Sequence, residues 1–118
     1  MAETNSRQAL MAPLGLMSAL GQLFPDFPDE CLREDVQAGE ASLHTVMTDF
    51  GSTFDAASSD EAQLRGLAEI VSECVREIDV LENAVGTCFL EHLRQRDRRS
   101  IFRKYLSPEV KTYMRTYC

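Results

Sequence analysis

Apolar residues recur along this chain at intervals of three and four positions, the spacing of one face of an α-helix. The clearest stripe runs from Leu64 to Ile78, and a second runs from Leu81 to Leu93. We interpret residues 58–93 as two consecutive amphipathic helices, because one unbroken helix of that length would be about 50 Å long. That length exceeds the width of a compact domain of this size. The two helices are predicted to form a central helical hairpin.

Polar residues at the predicted helix starts support this division. Ser58 and Glu61 have the spacing of a capping box, and Asp79 is a favourable N-cap for the second helix. Ser107 followed by Pro108 predicts another helix start near the C-terminus. The chain should therefore turn a corner near Asp79 and begin its last helix at Pro108.

The remaining apolar stripes predict helices over residues 13–24, 28–38 and 42–54 and further short helices after residue 93. Gly51 lies inside the third of these, where close packing against another element would explain it. No segment alternates with a period of two. The sequence therefore predicts an all-α, single-domain bundle of five to seven helices over residues 9–118, preceded by a disordered tail over residues 1–8.

Composition adds few constraints to this picture. With 118 residues, 44% hydrophobic and 26% charged, the chain is long enough for one domain with its own core. No apolar run approaches the ~20 residues of a membrane span, so no membrane contact is predicted. Two of the four cysteines, Cys74 and Cys88, lie on apolar stripes, where a free thiol behaves as a small hydrophobe. Reduced thiols and a cytoplasmic location are the expectation.

Charge is distributed unevenly between two segments. Residues 1–92, the acidic body, hold 4 Lys and Arg against 17 Asp and Glu, a net charge of −13. Residues 93–118 hold 8 against 2, a net charge of +6. The basic helices could neutralise the acidic body internally, the arginines could bind nucleic acid, or the acidic body could attract a basic protein. The overall acidity and the absence of a nucleic-acid motif argue against the second interpretation.

Motifs that would indicate catalysis are missing. There is no glycine-rich phosphate loop, no nucleophile elbow and no metal-ligand spacing. His44 is predicted to be a hydrogen-bonded structural histidine. Cys88 and His92 lie one helical turn apart, but the apolar surroundings of Cys88 disfavour a reactive thiolate. The sequence thus predicts no catalytic residue, no cofactor and no metal site, and a small enzyme is the least favoured of the alternatives.

The segment from Glu40 to Phe50 carries a histidine followed by an apolar-Met-x-Asp run, and the segment from Phe89 to Leu93 reads Phe-Leu-Glu-x-Leu. These two segments resemble a family of small, all-helical bacterial domains, mostly uncharacterised, that includes predicted immunity proteins of polymorphic toxin systems. The resemblance covers roughly residues 23–95. It implies a cytoplasmic protein that binds and neutralises a cognate toxin. The residues that carry it are Glu40, Leu43, His44, Val46, Met47, Asp49 and Phe50, followed by Phe89, Leu90, Glu91, His92 and Leu93.

The leading hypothesis is therefore an inhibitor of the immunity type whose partner is a protein, a basic toxin domain. A regulatory or adaptor module that pairs with another protein, or with itself, is the main alternative. No nucleic-acid partner is expected, and the oligomeric state stays open. Candidate partner-binding residues are the densest acidic cluster and two residues within the resembling segment. They are Asp26, Asp29, Glu30, Glu34 and Asp35, and then His44 and Asp49.

Overall fold

The computed structural model describes residues 6–118, and within that range it contains eight α-helices and no β-strand. The prediction of an all-α fold is confirmed. Six helices have eight residues or more, and buried apolar side chains from all eight helices form one contiguous core. The helices are α1 (Arg7–Leu10), α2 (Pro13–Leu23), α3 (Glu30–Gln37), α4 (Leu43–Thr53), α5 (Glu61–Cys74), α6 (Val80–Cys88), α7 (Leu93–Arg96) and α8 (Pro108–Tyr117). Short 3-10 turns lie at Ala56–Ser58, Leu90–His92 and Arg103–Tyr105.

Three of the predicted helix starts are confirmed in detail. Pro13 is the first residue of α2, where its missing N–H costs nothing. The Asp79 side chain caps α6 by accepting a hydrogen bond from the backbone N–H of Glu82. The Ser107 hydroxyl caps α8 in the same way through Val110. In α6 and α8 the side-chain cap satisfies a first-turn N–H that has no partner within the helix, whereas α2 has no side-chain cap.

The central pair of helices is shorter than predicted. The start of α5 is capped by Asp60 and Gln63, which form a reciprocal capping box in place of the predicted Ser58 box. The helix ends at Cys74, so Ile78 leaves the apolar stripe and is 73% exposed. Likewise α6 ends at Cys88 and does not continue to residue 93. The helix that packs most extensively on α6 is α4.

The first helix begins at Arg7, inside the tail that was predicted to be disordered. Residues 1–5 of that tail lie outside the described range, but Arg7 is in α1 and is only 8% exposed. Its guanidinium donates two hydrogen bonds to the Asp79 carboxylate, at 2.5 and 2.7 Å. It also donates to the carbonyl oxygens of Glu73, Cys74 and Glu77, each at 3.1 Å. The prediction of disorder is therefore wrong for residues 6–8, because Arg7 fastens α1 to the corner between α5 and α6.

All six phenylalanines of the chain meet in one aromatic cluster at the centre of the core. Successive ring centroids are 5.2 to 6.1 Å apart, mostly in edge-to-face or tilted pairs, which aromatic rings prefer. Gly51 of α4 packs beside this cluster. A Cβ atom at Gly51 would lie 3.1 Å from the carbonyl oxygen of Cys88, so the close approach of α4 to the end of α6 accounts for the glycine. The six rings are Phe24, Phe27, Phe50, Phe54, Phe89 and Phe102.

The arginine-rich C-terminal segment is organised around one buried acid, Asp97, which is 3% exposed. Its carboxylate accepts hydrogen bonds from the backbone N–H groups of Ile101, Phe102 and Arg103, at 2.8 to 3.0 Å. Within residues 6–118, no ion pair joins a basic residue of this segment to a carboxylate of the acidic body. Internal neutralisation through ion pairs is therefore not how the segment packs. Its apolar side chains enter the core and most of its arginines stay exposed.

Candidate functional site

A groove with aromatic walls and an acidic edge opens between the α2–α3 connection and the C-terminal end of α4. It consists of two adjoining concavities of about 210 and 150 Å³ that share Asp26, Phe27 and Thr53. The larger one is lined by rings of the central aromatic cluster, including Phe24 and Phe54. We call these two concavities together the acidic groove, because four carboxylates line them. These carboxylates belong to Asp26, Asp29, Asp49 and Asp55.

Local capping chemistry positions two of the four carboxylates. Asp29 is the N-cap of α3, and its Oδ1 atom accepts a hydrogen bond from the N–H of Leu32 at 2.8 Å. Asp55 caps the following 3-10 turn and accepts a hydrogen bond from the Ser58 hydroxyl at 2.6 Å. Both side chains therefore already hold structural bonds. Asp26 and Asp49 carry no side-chain hydrogen bond among the described residues, which leaves their oxygens available.

Electrostatic repulsion is concentrated at Asp49. Partial burial raises the pKa of this carboxyl, and the negative charges of Asp29 and Asp35 raise it further. Asp35 thus acts on the groove although it does not line it. Within residues 6–118, none of these carboxylates forms an ion pair with a basic side chain. The groove edge is consequently a site of unneutralised negative charge beside apolar rings.

The structure divides the sequence-predicted candidates into two groups. Asp26, Asp29, Asp35 and Asp49 act on or line the acidic groove. By contrast, Glu30 and Glu34 are exposed residues of α3 that do not line it. His44 is also elsewhere: its Nε2 atom lies 2.8 Å from Oδ1 of Asn83, so it links α4 to α6. That contact agrees with the expected hydrogen-bonded histidine.

Aromatic residues of the groove were not among the predicted site residues. Phe24 and Phe54 were assigned to helix faces, and an apolar residue at helical spacing gives no sign that one edge of its ring stays open. Both rings are partly exposed at the ends of α2 and α4, where the helix stops covering them. A phenylalanine at a helix C-cap, beside Pro25 and Asp26, is the signal that could have indicated the groove.

The groove carries no arrangement typical of metal or thiol chemistry. Among residues 6–118, no group of three His, Cys, Asp or Glu side chains is placed to hold a metal ion. All four cysteines are free, and burial raises the pKa of the Cys74 thiol to about 12, which keeps it protonated. In the same part of the chain no helix is long and apolar enough to cross a membrane. The groove presents carboxylate oxygens and aromatic rings.

Comparison with known proteins gives a family and no further relative. Neither the curated proteins nor the solved structures contain a match to this chain. One family model matches residues 17–117, which includes most of α2, all of α3 through α8 and the arginine-rich segment. That match extends beyond the region of sequence resemblance on both sides, and further on its C-terminal side. The chain therefore belongs to the family described as a domain of unknown function, DUF7674.

Proposed function

We propose that this chain is a cytoplasmic protein-binding inhibitor of the immunity type, which neutralises a basic toxin domain by direct contact. The observation that supports it most directly is the convergence of Asp26, Asp29 and Asp49 on one aromatic-lined groove, where the charge of Asp35 also acts on Asp49. Within residues 6–118 none of these carboxylates has a pairing cation. Unpaired carboxylates held close together repel one another. A cationic side chain from a partner would relieve that repulsion, so the groove favours a basic ligand over a neutral one.

The proposed binding mode uses both surfaces of the groove. An arginine or lysine of the partner enters at Asp26 and Asp49, and its aliphatic stem lies against the rings of Phe24 and Phe54. The net charge of −13 on residues 1–92 adds a long-range attraction that accelerates encounter more than it tightens the complex. A toxin that acts on nucleic acid needs its cationic surface for phosphate contacts. Covering that surface would block its activity.

The test is capture of a partner by the affinity-tagged chain from its native host, followed by identification of the captured protein. The groove variant carries D26N, D35N and D49N. The matched control carries E30Q, E34Q and E40Q, which removes the same charge from exposed positions outside the groove. We expect the parent and the control to capture a basic protein that the groove variant captures at least about tenfold less well. Circular dichroism should show that all three chains are folded.

Toxicity of the captured protein separates this proposal from an adaptor role. When expressed alone the partner should arrest growth, and co-expression with the parent chain should restore it. The association rate should also fall with salt, most steeply below ~0.1 M, where the Debye length exceeds ~10 Å. A harmless partner would assign the chain to the adaptor class instead. Equal capture by the groove variant and the control would refute the groove as the binding surface.

A further inference from the structure

Four basic side chains line another concavity, formed by α7, the segment that follows it and α8. They belong to Arg94, Arg103, Lys111 and Arg115, and the volume is about 220 Å³. We call this concavity the basic pocket. Among residues 6–118, no Asp or Glu lines it, and it shares no residue with the acidic groove. Two concave surfaces of opposite charge are therefore lined by separate sets of residues.

The positive charge of the basic pocket is largely unpaired. Among residues 6–118, Arg94, Lys111 and Arg115 form no ion pair with a carboxylate. Arg115 donates only to the neutral hydroxyl of Thr112, at 3.1 Å. Arg103 has a counter-charge in Asp97, but the other three cations around the concavity have no ion-pair partner among the described residues. These three charges repel each other, and an anion bound among them would remove that repulsion. The pocket is thus electrostatically suited to an anionic ligand.

Arg103 is held in a fixed orientation before any ligand arrives. Its Nη2 atom donates to the carbonyl oxygen of Asp97 at 2.8 Å, and its Nε atom lies 3.8 Å from Oδ2 of Asp97. That second distance is too long for a hydrogen bond, so Nε is buried without a partner among the described residues. The buried Asp97 therefore acts as a positioning residue. A guanidinium whose orientation is already fixed loses less entropy when it binds an oxyanion.

Apolar surface completes the pocket. Leu106 and Met114 also line it, together with Ser100. From this combination we infer that the basic pocket binds a small phosphomonoester. Its phosphoryl oxygens contact the arginines and Lys111, and its organic group lies on Leu106 and Met114. This site is additional to the proposed partner surface and does not depend on it.

A phosphomonoester matches this pocket better than the other common anions. Near neutral pH it carries a charge of about −1.5 to −2 and three acceptor oxygens, whereas a carboxylate carries a single charge. Arginine forks bind such oxygens in a bidentate manner. The polarisable thioether of Met114 and the side chain of Leu106 suit a flat organic group. A phosphodiester backbone has one charge per phosphate and offers the cluster less counter-charge.

Isothermal titration of the full chain tests this inference, with inorganic phosphate, adenosine 5′-monophosphate and adenosine as probes. We expect saturable binding of the monophosphate with a dissociation constant below about 1 mM, weaker binding of phosphate and none of adenosine. The double variant R94Q/K111Q should weaken monophosphate binding at least about tenfold. The matched control R98Q/R99Q removes the same charge from exposed arginines outside the pocket. It should change the constant by less than about threefold.

Three results would overturn the inference. Adenosine could bind as tightly as its monophosphate, which would remove the phosphoryl group from recognition. The control variant could weaken binding as much as the pocket variant, which would leave only a diffuse electrostatic effect. A single-stranded oligonucleotide without a terminal phosphate could bind more tightly than the monophosphate and be weakened equally by R94Q/K111Q and by R98Q/R99Q. That outcome would assign the segment to the nucleic-acid backbone.

Discussion

The acidic body and the basic C-terminal segment each bury one side chain of opposite charge to the segment as a whole. Arg7 is one of only 4 basic residues in the acidic body, and Asp97 is one of 2 acids after residue 92. Three backbone carbonyls surround Arg7, and three backbone N–H groups surround Asp97. In both places the protein uses main-chain dipoles to replace the water that a buried charge has lost.

The two charges differ in how far along the chain they reach. Asp97 bonds residues four to six positions away and shapes a local turn. Arg7 bonds residues 66 to 72 positions away and holds α1 against a distant corner. The comparison indicates a division of roles. One rare charge in each segment stabilises the fold, whereas the abundant charges, apart from the buried Glu82, are mostly at the surface.

The largest effect should come from replacing Asp97 with alanine. This change leaves three N–H groups without an acceptor and removes the counter-charge of Arg103. We expect the free energy of unfolding to fall by about 3–5 kcal/mol, as for other broken buried ion pairs. Urea denaturation measures it. Asp97→Asn, which keeps one acceptor oxygen, should lose clearly less, and equal losses would mean that the N–H bonds contribute little.

For Arg7→Met we expect a somewhat smaller loss in the free energy of unfolding than for Asp97→Ala. The methionine fills much of the same space but leaves the Asp79 carboxylate and three carbonyls without their donor. Because Asp79 is partly exposed and can recruit water, we expect about 2–3 kcal/mol. Arg65→Met is the matched control, since Arg65 forms an exposed ion pair with Glu61 worth about 0.3–0.5 kcal/mol. Similar losses in the two variants would show that burial of Arg7 adds nothing.

Lowering the pH should reduce the difference in the free energy of unfolding between the parent and the Arg7→Met variant. The Arg7 hydrogen bonds lower the pKa of Asp79 to about 2, against about 3.9 in an unfolded chain. The pairing therefore contributes fully above pH ~5 and is lost as the pH falls through 4 toward 2. We expect the difference between the two chains to shrink by about 1–2 kcal/mol over that range, since Asp79 is 27% exposed. A difference that does not change with pH would contradict the assigned pairing.

Asp49→Asn should have the smallest effect and the opposite sign. Burial and neighbouring charges raise the pKa of Asp49, so its ionised form destabilises the fold at neutral pH and ceases to do so once protonated. Removing the charge should stabilise the protein by less than about 0.5 kcal/mol at pH 7. This gain should vanish below pH ~4. Thermal melts at pH 7 and pH 3.5 measure it, and destabilisation at pH 7 would show that the carboxylate is already paired.

Local chemistry in the sequence was sufficient to predict several helix starts but not the contacts between distant segments. Asp79 and Ser107 were identified as caps because a cap needs only its own first turn. Near residue 60, the spacing of Ser58 and Glu61 predicted a capping box, but Asp60 and Gln63 have the same spacing. The structure shows that Asp60 and Gln63 form the box. The bonds of Arg7 and the repulsion among Asp29, Asp35 and Asp49 depend on tertiary placement, which no local pattern encodes.

The position of Arg7 also has a consequence for the order of events during synthesis. Every backbone carbonyl and carboxylate that the Arg7 guanidinium bonds lies between Glu73 and Asp79, 66 to 72 residues further along the chain. At a usual rate of 5–20 residues per second, those groups follow about 3 to 14 s after Arg7. Until then α1 cannot dock in its final place. The helix α1 is therefore fastened only after at least 66 further residues have been made.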